Sequence, residues 1–310
     1  MKFEHLNYED QYMSIIGNIV NAKEYKNERT GAITRRLPNR VISVDLQQEF
    51  PVLRSKKVYW KSAIEEILWI MKDQSNNIKD LRPHIWDQWA DENGCIGNAY
   101  GAQVAKEVRV VQNGDLKIYG NQVKYVLDTL KEDPSDRRCA INLWDCEDLS
   151  DMRLTPCCFA SVFNIIDGKL NCTLTQRSGD FPVGVPFNTT QYAALTVLFA
   201  RHLGVEPGLI THVISDAHIY EDQMDGVKEM IKNYISMNEE EYSMGHANLK
   251  SVTDDVKKRG ITKEQIKEIK NSRPRLVVNS DKTSFWDVDI NTMEMVDYKS
   301  FPEIKFNVTK

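Results

Sequence analysis

Several things are missing from this chain of 310 residues, and each absence narrows what it does. No apolar run approaches the roughly 20 residues that a membrane-spanning helix needs. The opening, Met1-Lys-Phe-Glu-His-Leu-Asn-Tyr-Glu-Asp10, holds no apolar signal core, so a secreted protein is not expected. Positive charge is not in excess. A net charge of -5 and a pI near 5.8 argue against nucleic acid or an anionic membrane surface as the main partner. The six cysteines, at 95, 139, 146, 157, 158 and 172, show no paired C-x-x-C spacing, so no metal site is expected. They read as free thiols of a reducing, cytoplasmic compartment, most of them small buried hydrophobes. There is no Gly-rich phosphate loop, no internal repeat and no low-complexity tract.

What is present is a hydrophobic content of 41%, ample for a large core. Tyr12, Ile15, Ile16, Ile19 and Val20 recur at helical spacing, and Val41 to Phe50 alternates loosely as a strand. Val58 to Met71 reads as a helix with Trp60, Ile64, Ile67, Leu68 and Met71 on its apolar face. Glu65 and Glu66 sit inside that helix. Either one of them turns inward, where burial raises its pKa and suits it to proton transfer, or both are ordinary solvated carboxylates. Gln122 to Lys131 and Thr189 to Leu203 are helical, the second stopping at Gly204. Cys158 to Ile166 and Leu170 to Thr175 flank Asp167-Gly168 as a hairpin, and Leu209 to Ile214 is a strand that runs into Asp216-Ala-His-Ile-Tyr220. From Lys232 to Asn271 the chain turns charged, with Glu239-Glu-Glu241. Thr262 and Gln265 form a capping box there, so the stretch reads as a helical surface insertion in a single catalytic domain.

The chemistry gathers in Leu154-Thr-Pro-Cys-Cys-Phe159, Gln176-Arg-Ser-Gly-Asp180 and Gly184-Val-Pro-Phe-Asn188. The hairpin brings Cys157 and Arg177 to the same end of paired strands. A thiol attacks as thiolate, and a neighbouring guanidinium lowers its pKa. Asn188 offers one donor and one acceptor, which suits the edge of a planar base. These features point to a thiolate catalyst acting on a pyrimidine nucleotide; the plainer reading of Cys157 alone is a buried thiol. Trp86 and Trp89 are core indoles or the walls of a slot for a flat heterocycle. Arg137 and Arg138 are surface charge or, at the lip of a strand, phosphate ligands. His218 and Tyr220 point to one face if the strand continues through them.

The strings Asn27-Glu-Arg-Thr-Gly31, Glu66-Ile-Leu-Trp69, Ile85-Trp-Asp-Gln-Trp89, Asp136-Arg-Arg138, Leu154-Thr-Pro-Cys157, Gln176-Arg-Ser178, Pro186-Phe-Asn188 and Asp216-Ala-His-Ile-Tyr220 stand in an order and spacing that resemble the folate-dependent thymidylate synthases. The resemblance runs from about Tyr8 to the C-terminus. It is closest to a divergent branch found in some bacilli and their phages. It implies an α/β (α+β) fold with a large mixed sheet, helices on one face and a homodimer interface on the other. It implies that dUMP is methylated to dTMP, with 5,10-methylenetetrahydrofolate as co-substrate and no metal. Cys157 would attack carbon 6 of the base. Arg177, Ser178 and Arg29 would hold phosphate, joined by Arg137 and Arg138 from the partner subunit. Asn188 would read the base, Gln176 would bind the substrate, and His218 and Tyr220 would hold the deoxyribose hydroxyl. Glu66 and Tyr100 would serve proton transfers. Trp86, Trp89, Leu154, Asp180, Gly184 and Phe187 would form the folate slot, with Lys56 near the glutamyl tail.

The sequence departs from the family's commonest pattern in three places. Cys158 stands where a histidine usually follows the nucleophile, Gln103-Val-Ala105 replaces a Gln-Trp-Arg string, and the chain ends in Phe306-Asn-Val-Thr-Lys310 with a charged last residue. A looser tail would admit water in place of hydride, giving a dUMP hydroxymethylase on the same scaffold. Asn188, which fits uracil, and Trp86, where the indole would shield the intermediate, speak against the cytosine version of that alternative and only weakly against its uracil version. A non-catalytic nucleotide-binding homologue is the other, against which the intact set of Cys157, Glu66, Asn188 and Arg177 argues.

Overall fold

The computed structural model describes residues 7–28, 31–82, 84–112, 114–238, 255–256 and 258–308. Its elements, in chain order, are α1 (Tyr8–Val20), β1 (Glu24–Lys26), β2 (Ile33–Asp45), α2 (Trp60–Met71), α3 (Gly101–Val104), β3 (Val108–Gln112), β4 (Asp115–Tyr119), α4 (Gln122–Glu132), β5 (Ala140–Asn142), β6 (Cys158–Ile166), β7 (Lys169–Gln176), β8 (Gly179–Asp180), α5 (Gly184–Leu203), β9 (Glu206–Tyr220), α6 (Met224–Met237), α7 (Lys263–Asn271), β10 (Arg275–Val278) and β11 (Met293–Val296).

A seven-stranded mixed sheet carries the molecule, in the order β1-β2-β9-β7-β6-β5, with β8 paired to β9. β9 runs parallel to β7 and antiparallel to β2. The parallel step is made by α5, which crosses back between β8 and β9. Helix α5 is buried on nearly every side, with Tyr192, Leu195, Leu198 and Phe199 in the core, and it packs on α2 and the sheet. Its last residue is followed by Gly204 at φ 70, the left-handed position that ends a helix. The β6–β7 turn places Asp167 at φ 51 and Gly168 at φ 72, as a two-residue hairpin requires.

The other face of the sheet is lined by short side chains in register. Ser43 pairs with Thr211, Thr211 with Thr173, Thr173 with Val162 and Val162 with Ala140. These are half-buried to exposed, and the Ser43 and Thr211 hydroxyls meet at 3.0 Å.

Four element boundaries differ from the sequence reading. The strand expected over 41–50 is β2, which begins at Ile33 and stops at Asp45. Its first half is polar because it pairs along β9 while one side faces solvent, so it carries no apolar alternation. It stops because the Asp45 carboxylate accepts from the Gln47 backbone N–H, at 3.0 Å, and turns the chain. β9 continues unbroken through His218 and Tyr220. α5 starts at Gly184, since Pro186 is tolerated in a first helical turn. Lys232 falls inside α6 rather than at a boundary. The far end of the charged segment packs inward, with Met237, Val256, Ile261, Ile266, Ile269 and Phe301 forming a small second core. Two isoleucines three apart supply its stripe on an otherwise charged helix. Glu239, Glu240 and Glu241 lie outside the described residues.

Candidate active site

A cavity of about 630 Å³ opens between α2, α5, the Trp86–Trp89 segment and the start of β6. Cys157, Glu66, Tyr100, Asn188, Gln176, Ser178, Asp180, Trp86, Trp89, Leu154 and Phe187 line it together. Val308 of the C-terminal tail lies at the same cavity. Residues far apart in sequence converge because the β6–β7 hairpin and the β7–β8–α5 crossover all end at this edge of the sheet.

Cys157 precedes β6, and its carbonyl accepts from the Arg177 backbone N–H at 2.9 Å. The Arg177 guanidinium donates to the Pro156 carbonyl at 3.0 Å and to the carbonyl and hydroxyl of Thr155, each at 2.8 Å. It stacks on Trp144 at 5.7 Å, and its Nη2 lies 3.8 Å from the Cys157 sulfur. The expected pairing is therefore present, but the expected lowering of the thiol pKa is not. Burial pushes the Cys157 thiol up, Arg177 pulls it down and Asp180 adds to the rise. Desolvation wins because the guanidinium is already hydrogen-bonded to three oxygens and sits at the long end of contact.

Of the two helix glutamates, Glu66 is the one turned inward. It is buried, while Glu65 meets Arg82 at 2.6 Å on the outside. Glu66 Oε1 accepts from Trp86 Nε1 and Oε2 from Gln191 Nε2, both at 2.8 Å. Burial raises its pKa to about 7 even though both hydrogen bonds favour the charged form. Trp86 is thus more than a wall: it is anchored by its N–H and packs edge-on against Trp89 at 5.4 Å and Tyr100 at 5.0 Å.

Tyr100 holds φ 47 and ψ −99, outside the regions ordinary residues favour. Gly101 follows it because a side chain there would run into the Ser75 carbonyl. The tyrosine hydroxyl accepts from the Cys157 backbone N–H at 3.3 Å, which ties the loop to the nucleophile candidate.

Asn188 lies one turn into α5. Its Oδ1 accepts from Gln176 Nε2 at 3.2 Å and its Nδ2 donates to Gln191 Oε1 at 3.0 Å. Gln176 Nε2 also donates to the Ser178 carbonyl at 2.8 Å, while its Oε1 meets His212 Nε2 at 2.7 Å. Burial lowers the His212 pKa to about 3, so the ring is neutral and Nε2 carries the proton toward that oxygen. Gln191, His212 and Thr155 were not singled out from the sequence. Gln191 had a signal: it stands three residues after Asn188 on one helix, hence on its face.

Asp180 is half-buried, and its Oδ2 accepts from Gln223 at 2.9 Å while the buried Oδ1 makes no hydrogen bond among the described residues. Burial raises its pKa. Lys56 is buried beside the cavity rather than lining it. Its Nζ donates to the Pro182 carbonyl at 2.5 Å and sits 5.0 Å from the Phe306 ring, and burial lowers its pKa to about 8. Gly184 is the first residue of α5. His218 and Tyr220 pack edge-on at 5.2 Å, and burial lowers the histidine pKa. Arg137 and Arg138 are exposed and line no part of the cavity; the Asp136 carboxylate grips Arg138. Arg29 and Lys310 lie outside the described residues. Among the described residues no group of three or more His, Cys, Asp or Glu could hold a metal ion, and no helix is long and apolar enough to cross a membrane.

The thymidylate synthase family model matches residues 10–310. A thymidylate synthase of Clostridium beijerinckii is 38% identical over 305 residues, covering 97% of this chain and 98% of its own. Thymidylate synthase 1 of Bacillus subtilis is 34% identical over 313 residues, with the same coverage. The solved structure of the thermostable thymidylate synthase A from Bacillus subtilis superposes with a TM-score of 0.75 at 31% identity, covering 98% of this chain and 99% of that one.

Proposed function

The chain belongs to the thymidylate synthase family, and from that premise we infer that it works as a methyltransferase converting dUMP to dTMP through Cys157. The named relatives favour methylation over hydroxymethylation of dUMP. The observation that carries the residue assignment is the meeting of the Cys157 sulfur, the Asn188 carboxamide and the Glu66 carboxyl in one cavity. The Cys157 thiol loses its proton to water, the thiolate bonds to carbon 6 of the base, and the electron pair displaced from the ring double bond makes carbon 5 nucleophilic. Charge then develops on O4. Asn188 has one N–H and one lone pair left after its two protein contacts, which match O4 and the N3 hydrogen of uracil. Glu66, with a pKa near neutrality, exchanges a proton with O4 through ordered water. Tyr100 assists proton removal from carbon 5.

Methylenetetrahydrofolate supplies the one-carbon unit and the hydride as co-substrate. The slot fits a pterin: Asp180 sits in its wall with one buried carboxylate oxygen that makes no hydrogen bond among the described residues, and a pterin ring carries N–H donors. Trp86, Trp89, Leu154 and Phe187 give the flat apolar walls, Gly184 keeps the helix start open, and Lys56 lies toward the glutamyl end. Arg177, Ser178 and Arg29 hold the nucleotide phosphate. His218 and Tyr220 hold the sugar hydroxyl.

The proposal includes a homodimer. The short-chained sheet face, with Val41, Val162 and Ile166 exposed, suits burial against its own copy. The exposed Arg137 and Arg138 then serve the partner's phosphate. The whole of 1–310 acts as one catalytic domain. The six free cysteines suit the cytoplasm, and the acidic balance suits no nucleic-acid or membrane partner.

The experiment is product analysis. The protein is incubated with dUMP and methylenetetrahydrofolate, dihydrofolate is followed by absorbance and the nucleotide is weighed. dTMP with dihydrofolate is the expected result. Hydroxymethyl-dUMP without dihydrofolate overturns the methylation, and no adduct of 5-fluoro-dUMP on Cys157 overturns the nucleophile.

A further inference from the structure

Between Glu66 and Asn188 stands one side chain. Gln191 is 2% exposed and donates to Glu66 while accepting from Asn188. We propose that Gln191 is a positioning residue, which fixes the direction of the Asn188 carboxamide and couples it to the carboxylate of Glu66. The inference rests on the base-reading and proton-transfer roles assigned above.

The direction follows from donor and acceptor valence. The Ser178 carbonyl can only accept, so Gln176 must turn its NH₂ toward it. The same NH₂ reaches Asn188, which therefore presents its oxygen there and its NH₂ to Gln191. At the other end the ionised Glu66 can only accept, so Gln191 turns its NH₂ to Glu66 and its oxygen to Asn188. Both ends impose the same sense. A flipped Asn188 would set donor against donor at Gln176 and acceptor against acceptor at Gln191, a doubly unfavourable buried arrangement. A flipped carboxamide is also what cytosine needs, because its N3 and exocyclic amine reverse the pattern of uracil. Gln191 therefore contributes to the rejection of dCMP without touching the base.

The same bond supplies one of the two protein donors to Glu66. Its loss raises the Glu66 pKa further above about 7. The titratable groups that face Glu66 are Tyr100, Cys158 and Tyr192; burial pushes all three well above their ordinary values, so none charges in the range where Glu66 does.

The test uses the full-length protein and Gln191→Met, of similar volume. Rates with dUMP and dCMP are measured across pH. The preference for dUMP should narrow by about tenfold, and the limb of the pH profile that follows Glu66 should move up by about one unit. If Gln191→Met does not fold, Gln191→Glu serves: a second carboxyl against Glu66 must share its proton, so the limb moves up again. A folded variant with the dUMP preference and the limb of the parent overturns the proposal. Titration of the Glu66 carboxyl by difference infrared spectroscopy gives the same reading without turnover. An inactive parent protein would then count against the reaction, while an unshifted Glu66 in the variant would count against the coupling.

Discussion

Arg177 Nη2 lies 3.8 Å from the Cys157 sulfur while the same nitrogen donates to Thr155, and the guanidinium is further held by the Pro156 carbonyl and the face of Trp144. The arginine is thus a fixed charge with little freedom to follow the sulfur. In the free protein it does not offset the burial of the thiol, and the protonated form dominates at neutral pH. Cys157→Ser keeps the shape and removes the sulfur. Turnover should fall by on the order of 10⁴-fold or more, with dUMP binding by calorimetry retained. Normal turnover would mean that the nucleophile lies elsewhere.

Asn188→Asp should admit dCMP. A carboxyl that carries a proton can donate where cytosine accepts and accept where its amine donates. Discrimination against dCMP should weaken by at least about tenfold, measured as the ratio of kcat/KM for the two nucleotides. An unchanged ratio would remove Asn188 from base recognition.

Glu66 makes stability depend on pH. Its pKa in the folded protein is about 7, above its ordinary 4.5. The folded state keeps the proton that the unfolded chain releases, so stability from this group is complete below about 4.5 and is lost as pH rises to about 7. The loss is on the order of 3 kcal/mol. Glu66→Gln does not titrate, so its stability relative to the parent should rise between pH 5 and pH 8 in urea unfolding. Its turnover should fall by about 10²-fold. A stability difference independent of pH would place the carboxyl in water rather than in the cavity wall.

Two inactive variants should rescue each other. Arg138→Ala removes a phosphate ligand given to the partner, and Cys157→Ser removes the nucleophile. A random mixture of subunits holds hybrid dimers with one complete site, so roughly a quarter of full activity should return. Absence of rescue after subunit exchange would show that each chain builds its phosphate site alone.

The parts of the fold that could be read from sequence are those governed by local rules. The Asp167-Gly168 turn, the stop at Gly204 and the capping box of Thr262 and Gln265 each depend on a few neighbouring residues. The site was legible as strings because Pro156, Arg177 and Asn188 hold fixed positions on adjoining elements. The polar half of β2 was hidden, since its partner β9 lies far along the chain and only long-range pairing defines it. The choice between Glu65 and Glu66 turned on tertiary contacts with Trp86 and Gln191. The sign of the Cys157 shift was misjudged because proximity to arginine is visible in a hairpin, whereas the depth of the sulfur and the prior engagement of that arginine are not.

Gly101 touches no part of the cavity, yet the Ser75 carbonyl occupies the space where its side chain would be. Any replacement must push the Tyr100 loop away from the end of α2, and with it the hydroxyl that steadies the Cys157 amide. In a survey of all substitutions, position 101 would score as intolerant as a residue in direct contact with substrate. Sensitivity to mutation there measures how two loops are bolted together, and a map of damaging changes would draw the catalytic centre wider than the chemistry reaches.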